Sequence, residues 1–161
     1  MRQLMPEDYD QIARSDCFVC RLVAGKPLVA NPRVVYEDEQ VIAFLNQFPS
    51  QEGYTIVCPK RHAERWESDL SDEEWQQLQT VVRMVAQAVA AVTGAIRMYS
   101  ASLGSPERNA HIHIHVCPCP PGTPFDQQQF AAMMVKHDGY LQLSEDRLDD
   151  IAQAIRALLT A

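Results

Sequence analysis

The longest amphipathic pattern in the sequence covers residues 70–94 and predicts a helix. Apolar residues recur there at three- and four-residue spacing, on one side of a helix with 3.6 residues per turn: Trp75, Leu78, Val82, Val85, Val89 and Val92. Ser71 and Glu74 form a capping box at its start, and Gly94 stands where a left-handed cap is expected. At 1.5 Å per residue this helix is about 33 Å long. It is therefore expected to cross a whole sheet face as a core helix.

Apolar runs before and after this helix predict β-strands. Residues 34–36 and 41–45 are separated by a short acidic turn, which indicates a β-hairpin. A third run covers residues 54–58, and residues 96–102 alternate like a further strand. The pattern predicts an antiparallel sheet core.

Shorter helical patterns lie near the two ends of the chain. Residues 6–14 predict a short surface helix with a proline and acidic residues in its first turn. Residues 126–137 predict a second short helix with Phe130 and Met134 facing inward. Ser144 caps a last helix. Its inner face is expected to carry four residues: Leu148, Ile151, Ile155 and Leu158.

Residues 111–116 read His-Ile-His-Ile-His-Val. In a strand, successive side chains face opposite sides, so His111, His113 and His115 share one face and β-branched residues fill the other. In a helix, His113 would point away from the other two histidines. Neighbouring imidazoles lower each other's pKa, so three on one face indicate a polyanion or a metal opposite them. Regular structure is expected to end at Pro118, because three more prolines follow within six residues.

Composition limits the class of protein. A chain of 161 residues with 47% hydrophobic and 22% charged residues is expected to form one domain with a sizeable core. No apolar run approaches the roughly 20 residues that cross a bilayer. The first residues turn acidic before an apolar stretch begins, which argues against a secretory signal, so we expect a cytoplasmic protein. A net charge of −7 opposes non-specific binding to nucleic acid or an anionic membrane.

The five cysteines do not form a disulfide framework in such a protein. Cys17 and Cys20 have CxxC spacing, which is typical of metal or redox sites. The alternative is a pair of buried thiols, which are common in protein cores. Cys117 and Cys119 lack comparable partners and are expected to be unliganded.

Three stretches together resemble the histidine triad (HIT) family of nucleotide-binding proteins and hydrolases. They are residues 17–25, residues 35–62 with Asn46, Gly53 and Pro59-Lys60-Arg61-His62, and residues 111–116. They order about residues 15–120 as the family orders them. The resemblance implies an α+β, HIT-like fold, in which an antiparallel sheet carries a long packed helix. Residues 125–161 would form a C-terminal helical extension of a single domain over 1–161, and a homodimer is expected.

The resemblance also implies a reaction. The middle histidine, His113, would attack the α-phosphorus of a purine nucleotide derivative, such as a nucleoside phosphoramidate or a dinucleoside polyphosphate. A covalent nucleotidyl-histidine intermediate would then be hydrolysed or passed to an acceptor. His115 would hydrogen-bond the phosphate or the leaving group, and Asn46 holds the family's position for the ribose hydroxyls. Three residues match the family's apolar base pocket: Phe18, Val19 and Leu22.

Some members of the family bind a structural zinc ion through this CxxC, the histidine of Pro-Lys-x-His and the first triad histidine. The matching residues here are Cys17, Cys20, His62 and His111. Two thiolates and two imidazoles are a closed tetrahedral zinc set. With zinc bound there, His111 would be structural, and the catalytic pair would be His113 and His115.

The chain departs from the family at two places in the site. Many members have histidine after the loop glycine, whereas Tyr54 follows Gly53 here. The Gly-Gln-Ser/Thr-Val sequence that leads into the triad is replaced by Pro-Glu-Arg-Asn at residues 106–109, and its serine or threonine often assists the leaving group. Three serines are candidates to replace it: Ser100, Ser102 and Ser105. We include Ser100 among the expected nucleotide contacts.

Two other functions fit the same residues. A non-catalytic nucleotide-binding regulatory protein would keep the triad for affinity alone. Alternatively, the three histidines would hold a catalytic zinc ion. This set of three histidine ligands would be similar to that of carbonic anhydrase. The complete CxxC and His62 favour zinc at the structural position instead.

Overall fold

The computed structural model describes residues 1–7, 9, 11, 14, 16–135 and 139–160. In chain order its strands are β1 (Arg2–Gln3), β2 (Val34–Glu37), β3 (Val41–Leu45), β4 (Thr55–Pro59), β5 (Arg97–Ser102), β6 (Ile114–Cys119) and β7 (Tyr140–Leu141). The α-helices discussed below are α1 (Phe18–Val23), α2 (Trp66–Asp69), α3 (Asp72–Thr93) and α4 (Glu145–Leu159). The main sheet has the order β2-β3-β4-β6-β5, and every neighbouring pair is antiparallel. The predicted antiparallel sheet is confirmed.

The main sheet is covered on both faces, because its strands send alternate side chains to two separate apolar clusters. In β3, Val41, Ala43 and Leu45 belong to the first cluster, whereas Ile42 and Phe44 belong to the second. All five residues are buried. A strand that is buried on both sides reads as a continuous apolar run, as residues 41–45 do.

The long helix α3 covers the first face, and its predicted caps are confirmed. The Ser71 hydroxyl oxygen accepts a hydrogen bond from the backbone N–H of Glu74 at 3.2 Å, and the Glu74 carboxylate accepts one from the backbone N–H of Ser71 at 2.8 Å. Gly94 has a φ of 66°, the left-handed conformation of a C-cap. Val85 and Val89 are fully buried against the sheet. Propensity, capping and burial therefore agree over the whole helix.

The C-terminal helix α4 lies on the same face, against α3 and β2. The Ser144 hydroxyl caps it by accepting a hydrogen bond from the N–H of Arg147 at 3.2 Å. Ile151 and Ile155 are buried, as predicted. The expected inner position of Leu158 is wrong, since this residue is 50% exposed. Leu159, four residues after Ile155, continues the inner face and packs against the cluster instead.

The second face is covered by α1 and by the segment that follows β6. This segment does not form the helix expected over 126–137, but two 3₁₀ turns, Phe125–Gln127 and Gln129–Met133. Gln129 has a φ of 58°, which interrupts a continuous helix. Phe130 is 57% exposed and Met134 is exposed too, while the small Ala132 fills the inward position. Residues 136 and 137 of the expected helix lie outside the described ranges.

The histidine-bearing strand β6 is displaced relative to the sequence prediction. His111 and His113 precede it, and it continues through Pro118, which pairs with Met98 of β5. The expected end of regular structure at Pro118 is therefore wrong. Pairing with β4 stops at Val116, so β6 has a neighbour on one side only beyond that point, where a missing N–H is tolerated.

The N-terminal strand β1 pairs with β7, the segment just before α4, in a small second sheet that the sequence did not predict. Arg2 pairs with Leu141 and Gln3 with Tyr140. Leu141 also donates its backbone N–H to the carbonyl of Pro49 at 2.7 Å, so this ribbon is fixed to the loop after β3. Four of the nine residues of the surface helix expected over 6–14 lie outside the described ranges, namely residues 8, 10, 12 and 13. No helix in the described ranges is long and apolar enough to cross a membrane.

Candidate functional site

A cavity of about 480 Å³ lies beside the second and third histidines of the triad. Its lining includes residues of α1, of the loop after β3, of the N-terminal segment and of the segment around β7. Representative lining residues are Phe18, Asn46, His113, His115, Tyr9 and Tyr140. A volume of several hundred Å³ is typical of a small-molecule site.

His113 is held in a single tautomer at this cavity. Its Nδ1 lies 2.7 Å from the backbone carbonyl oxygen of His111. A carbonyl oxygen only accepts hydrogen bonds, so Nδ1 carries the proton and Nε2 of the neutral ring keeps its lone pair. The side chain is 5% exposed, and this burial lowers the pKa of His113 below its usual value. His113 is therefore a neutral imidazole with a nucleophilic nitrogen.

His115 lies beside it, with 4.9 Å between the two ring centroids. Its Nδ1 is 2.8 Å from the hydroxyl oxygen of Tyr54. Burial, together with the nearby His113, lowers the pKa of His115 to about 3. Both imidazoles that line the cavity are therefore neutral at pH 7.

The expected base-pocket residues divide between the cavity wall and the core behind it. Phe18 lines the cavity, with its ring edge-on to the His113 ring at a centroid distance of 5.5 Å. Leu22 also lines the cavity. Val19 is fully buried in the second apolar cluster. Val19 thus packs behind the wall that the other two residues present.

Two expected polar contacts lie in different places. Asn46 lines the cavity, and its side-chain oxygen accepts a hydrogen bond from the backbone N–H of Phe48 at 3.0 Å. Ser100 lies on the edge strand β5, opposite Val116, and is exposed. Ser100 is absent from the residues that line the cavity.

The first triad histidine belongs to a separate cluster of four metal-ligand side chains. Nδ1 of His111 lies 3.2 Å from the Cys17 sulfur and 3.6 Å from the Cys20 sulfur. Nδ1 of His62 lies 3.3 Å from the Cys20 sulfur. All four ligand atoms lie within 4.8 Å of one another. Zn–S and Zn–N bonds of about 2.3 and 2.0 Å in a tetrahedron give an S···N separation of about 3.5 Å, so the cluster has the dimensions of a zinc site.

The outer contacts of both imidazoles leave Nδ1 available to a metal. Nε2 of His111 donates to the carbonyl oxygen of Pro59 at 2.8 Å. Nε2 of His62 lies 3.1 Å from a carboxylate oxygen of Glu64. Partners of this kind fix the tautomer of a metal-binding histidine. The donor set, its spacing and these contacts all fit zinc.

The three histidines do not converge on one point. His111 faces the cysteines, whereas His113 and His115 face the cavity. In the part of the chain that the structure describes, the group able to hold a metal is the cysteine–histidine cluster. This arrangement does not support the alternative of a catalytic zinc held by all three histidines.

The loop before the triad brings Asn109 to the cavity. Backbone hydrogen bonds of 3.2 Å in both directions join Ser105 and Arg108 in a tight turn. Asn109 follows with a φ of 50° and lines the cavity. A Cβ added at Gly104 would clash with the carbonyl oxygen of Asn109 and lie 3.2 Å from Cε1 of His113. The glycine thus allows this loop to approach the His113 ring closely.

Aromatic residues from three segments that are distant in sequence also line the cavity, and no sequence motif identified them. The Phe48 ring lies between Tyr9 and Tyr140, at centroid distances of 5.3 and 5.0 Å. All three line the cavity. Because Tyr9 and Tyr140 lie outside the stretches with recognisable motifs, no local pattern identified them. The substitution of Tyr54 for histidine was visible in the sequence, but its contact with His115 was not.

Comparisons with known proteins agree with this geometry. The family model described as HIT domain matches residues 28–121. An uncharacterized HIT-like protein of Borreliella burgdorferi is 32% identical over 108 residues, which are 64% of this chain and 75% of that protein. The chain spans about half the length, or less, of other curated relatives that it matches.

Solved structures of similar proteins show the same fold. A hypothetical histidine triad nucleotide-binding protein from Sulfolobus tokodaii has a TM-score of 0.71 at 22% identity, covering 89% of this chain and 92% of that one. A Zn-bound histidine triad family protein from Mycobacterium smegmatis has a TM-score of 0.68 at 26% identity, covering 90% of this chain and 94% of that one. The α+β fold with an antiparallel sheet is confirmed.

Proposed function

Because the chain belongs to the histidine triad family, we propose that it is a nucleotide-binding hydrolase or nucleotidyl transferase. Its substrate is a purine nucleotide derivative that carries a leaving group on the α-phosphorus, either a nucleoside phosphoramidate or a dinucleoside polyphosphate. The observation that carries this proposal is the fixed tautomer of His113, which directs a lone pair rather than a proton from Nε2.

In the proposed reaction, the Nε2 lone pair of His113 attacks the α-phosphorus. An N–P bond forms, and the P–O or P–N bond to the leaving group breaks with its electron pair. The leaving group takes up a proton from water as it departs. Water or another acceptor then attacks the phosphorus, the N–P bond breaks, and loss of the acceptor's proton leaves a nucleoside monophosphate or its ester with neutral His113. Two moderate displacements replace one difficult displacement.

His115 is the proposed donor to the phosphate oxygens and the leaving group. Its ring lies next to that of His113, and both line the same cavity. A hydrogen-bond donor that is already in place stabilises the negative charge that develops on oxygen in the transition state.

The walls of the cavity support binding of a nucleotide. Phe18 and Leu22 offer an apolar surface for the base, with Val19 packed behind them. Asn46 is placed to contact the ribose hydroxyls, as the family resemblance implies. Ser100 takes no part in this proposal, because it lies on the edge strand away from the lining.

Zinc is the proposed structural cofactor of the cysteine–histidine cluster. The proposed ligands are Cys17, Cys20, His62 and His111, and the mutual spacing of their ligand atoms, all within 4.8 Å, supports this choice. When bound, the ion supplies a cross-link between α1, the end of β4 and the chain before β6. The cross-link holds the backbone of His111, whose carbonyl oxygen fixes the tautomer of His113.

A homodimer is also part of the proposal, from family membership alone. Light scattering on the purified protein tests it, and a monomer at working concentration contradicts it.

The deciding experiment measures AMP release from adenosine 5′-phosphoramidate and from diadenosine polyphosphates, by wild type and by His113→Ala. Release by wild type alone supports nucleotidyl transfer through His113, and the best substrate identifies the leaving group. Isothermal titration with AMP shows whether the variant still binds nucleotide. Tight AMP binding without turnover by wild type favours the non-catalytic binding protein, and equal release by both proteins contradicts the role of His113.

A further inference from the structure

Tyr54, the residue just before β4, makes a direct polar contact with His115 of the triad. The tyrosine is 1% exposed and follows the loop glycine immediately before β4. Its hydroxyl oxygen lies 2.8 Å from Nδ1 of His115, and the two ring centroids are 5.7 Å apart. The distance is that of a good O–H···N hydrogen bond.

The direction of this hydrogen bond follows from the chemistry of the two groups. Burial raises the pKa of Tyr54 well above its ordinary value, so the hydroxyl keeps its proton at neutral pH. Among the described residues, Nδ1 of His115 is the partner that the geometry gives to this buried hydroxyl. Leaving a buried donor without an acceptor is unfavourable, because the lost hydrogen bonds to water are not replaced. The hydroxyl therefore donates and Nδ1 accepts.

An imidazole that accepts at Nδ1 carries its single proton at Nε2. We propose that Tyr54 is a positioning residue that holds His115 in the Nε2–H tautomer, so that His115 donates a hydrogen bond to the reacting phosphate or leaving group. This role rests on the proposed function. The role also explains why a tyrosine is suitable at the position where many family members have histidine.

The two neighbouring imidazoles are thereby given opposite roles. A backbone carbonyl accepts from Nδ1 of His113 and leaves a lone pair on its Nε2. A hydroxyl donates to Nδ1 of His115 and leaves a proton on its Nε2. One ring is ready to attack phosphorus, and the ring next to it is ready to donate to oxygen. Neither ring has to change its protonation before the substrate binds.

The backbone around Tyr54 is suited to holding the hydroxyl in place. The Tyr54 carbonyl oxygen accepts from the N–H of Asn46 at 2.8 Å, and its own N–H donates to Gln51 at 3.2 Å. Its side chain packs in the second apolar cluster with Ile56 and Phe44. A side chain fixed by packing and by backbone hydrogen bonds loses little entropy when it orients its partner.

The first test is independent of activity. Long-range ¹H–¹⁵N NMR of the zinc-loaded, histidine-labelled protein reports which ring nitrogen of His115 is protonated. The expected result is Nε2–H in wild type and a mixed or Nδ1–H population in Tyr54→Phe. The control Tyr36→Phe removes another tyrosine hydroxyl bond of 2.8 Å, to Asp38 outside the cavity lining, and should leave His115 unchanged. Nδ1–H in wild type, or an unchanged tautomer in Tyr54→Phe, overturns the proposal.

The second test is kinetic. With the best substrate, kcat of Tyr54→Phe should fall roughly 10- to 100-fold, up to the lower end of the ~10²–10³-fold cost of losing such a donor outright. KM should change less than about two-fold, since the hydroxyl contacts His115 rather than the base pocket, and Tyr36→Phe should retain wild-type kcat. Unchanged kcat in Tyr54→Phe overturns the positioning role. If wild type itself releases no AMP, the proposed function fails, while the NMR result still decides whether Tyr54 sets the tautomer of His115.

Discussion

The backbone carbonyl oxygen of His111 accepts a hydrogen bond from Nδ1 of His113 at 2.7 Å. One residue thus contributes its side chain to the cysteine–histidine cluster and its backbone to the orientation of His113, the proposed nucleophile. The two sites are distinct in chemistry but share this peptide group. Substitutions in the cysteine–histidine cluster should therefore affect the proposed reaction even though they alter no residue that lines the cavity.

Loss of one thiolate ligand should remove the metal. Cys17→Ser is expected to reduce zinc from about one per chain to a small fraction, and to lower the free energy of unfolding by roughly 2 kcal/mol or more, because metal binding contributes folding energy. Elemental analysis and thermal melting measure both effects. Cys119→Ser, a buried cysteine outside the cluster, should retain the metal. A wild-type protein without zinc after metal-replete expression contradicts the assignment.

A side chain at Gly104 should impair turnover. In Gly104→Ala, the new Cβ clashes with the Asn109 carbonyl and approaches Cε1 of His113, so the loop or the His113 ring must move. We expect kcat to fall about 10-fold or more, because a displacement of about 1 Å can cost ~100-fold. Gly122→Ala is the control for turnover: its φ of 79° makes a side chain there strained, but nothing lies within 4 Å of the added Cβ and the residue is outside the cavity lining. Wild-type kcat in Gly104→Ala would show that this close approach is not needed.

Asn46 should contribute more to nucleotide affinity than to the chemical step. Asn46→Ala removes one polar contact expected at the ribose, so the AMP dissociation constant should rise about 10-fold, or about 1.4 kcal/mol. Asn46→Asp keeps an oxygen for the N–H of Phe48 and should bind more tightly than the alanine variant. Titration calorimetry compares the three proteins. Equal affinities would remove Asn46 from the site.

The Phe48 ring should hold the segments around Tyr9 and Tyr140 against the cavity. Phe48→Ala breaks ring contacts with Tyr9 and Tyr140, each worth about 0.5–1.5 kcal/mol. Backbone amides of β1 and β7 should exchange faster with deuterium, and KM should rise as the cavity loses its outer wall. Phe125→Ala removes a ring that is 80% exposed and should change neither quantity. Unchanged exchange in Phe48→Ala would show that the strand pairing alone holds the ribbon.

The protein should become less stable as the pH is lowered, because His115 is buried in its neutral form. Its folded pKa of about 3 lies below the ordinary value near 6.5, so the unfolded chain binds the extra proton between these values. The free energy of unfolding should therefore rise with pH from about 3 to 6.5 and gain nothing further above it. His113 and Tyr54 face His115 in wild type, and both remain in His115→Gln. Urea unfolding measures the free energy of unfolding at pH 7 and at pH 4.5. Its decrease from pH 7 to pH 4.5 should be about 2 kcal/mol larger in wild type than in this variant. Equal pH dependence contradicts neutral burial of His115.

The sequence by itself determined the elements that depend on local geometry. The amphipathic spacing, Ser71, Glu74 and Gly94 define α3 through interactions within a few residues of one another. The strands β2, β3 and β4 follow from their apolar runs and turns. The CxxC spacing and the alternating histidines pointed to Cys17, Cys20 and the three triad histidines as candidate site residues, and the family resemblance added His62 to the proposed zinc set.

Only the tertiary structure decided how the site is completed. The bond from Tyr54 to His115 spans 61 positions, and the pairing of Arg2 with Leu141 joins residues 139 positions apart. Strands of two residues are too short to show an alternation of apolar and polar residues, so no local pattern predicts them. The segment after β6 formed 3₁₀ turns because a positive φ at Gln129 and the packing of Ala132 outweighed its helical pattern. Contacts between distant segments depend on the packing of the whole fold, which local sequence patterns do not encode.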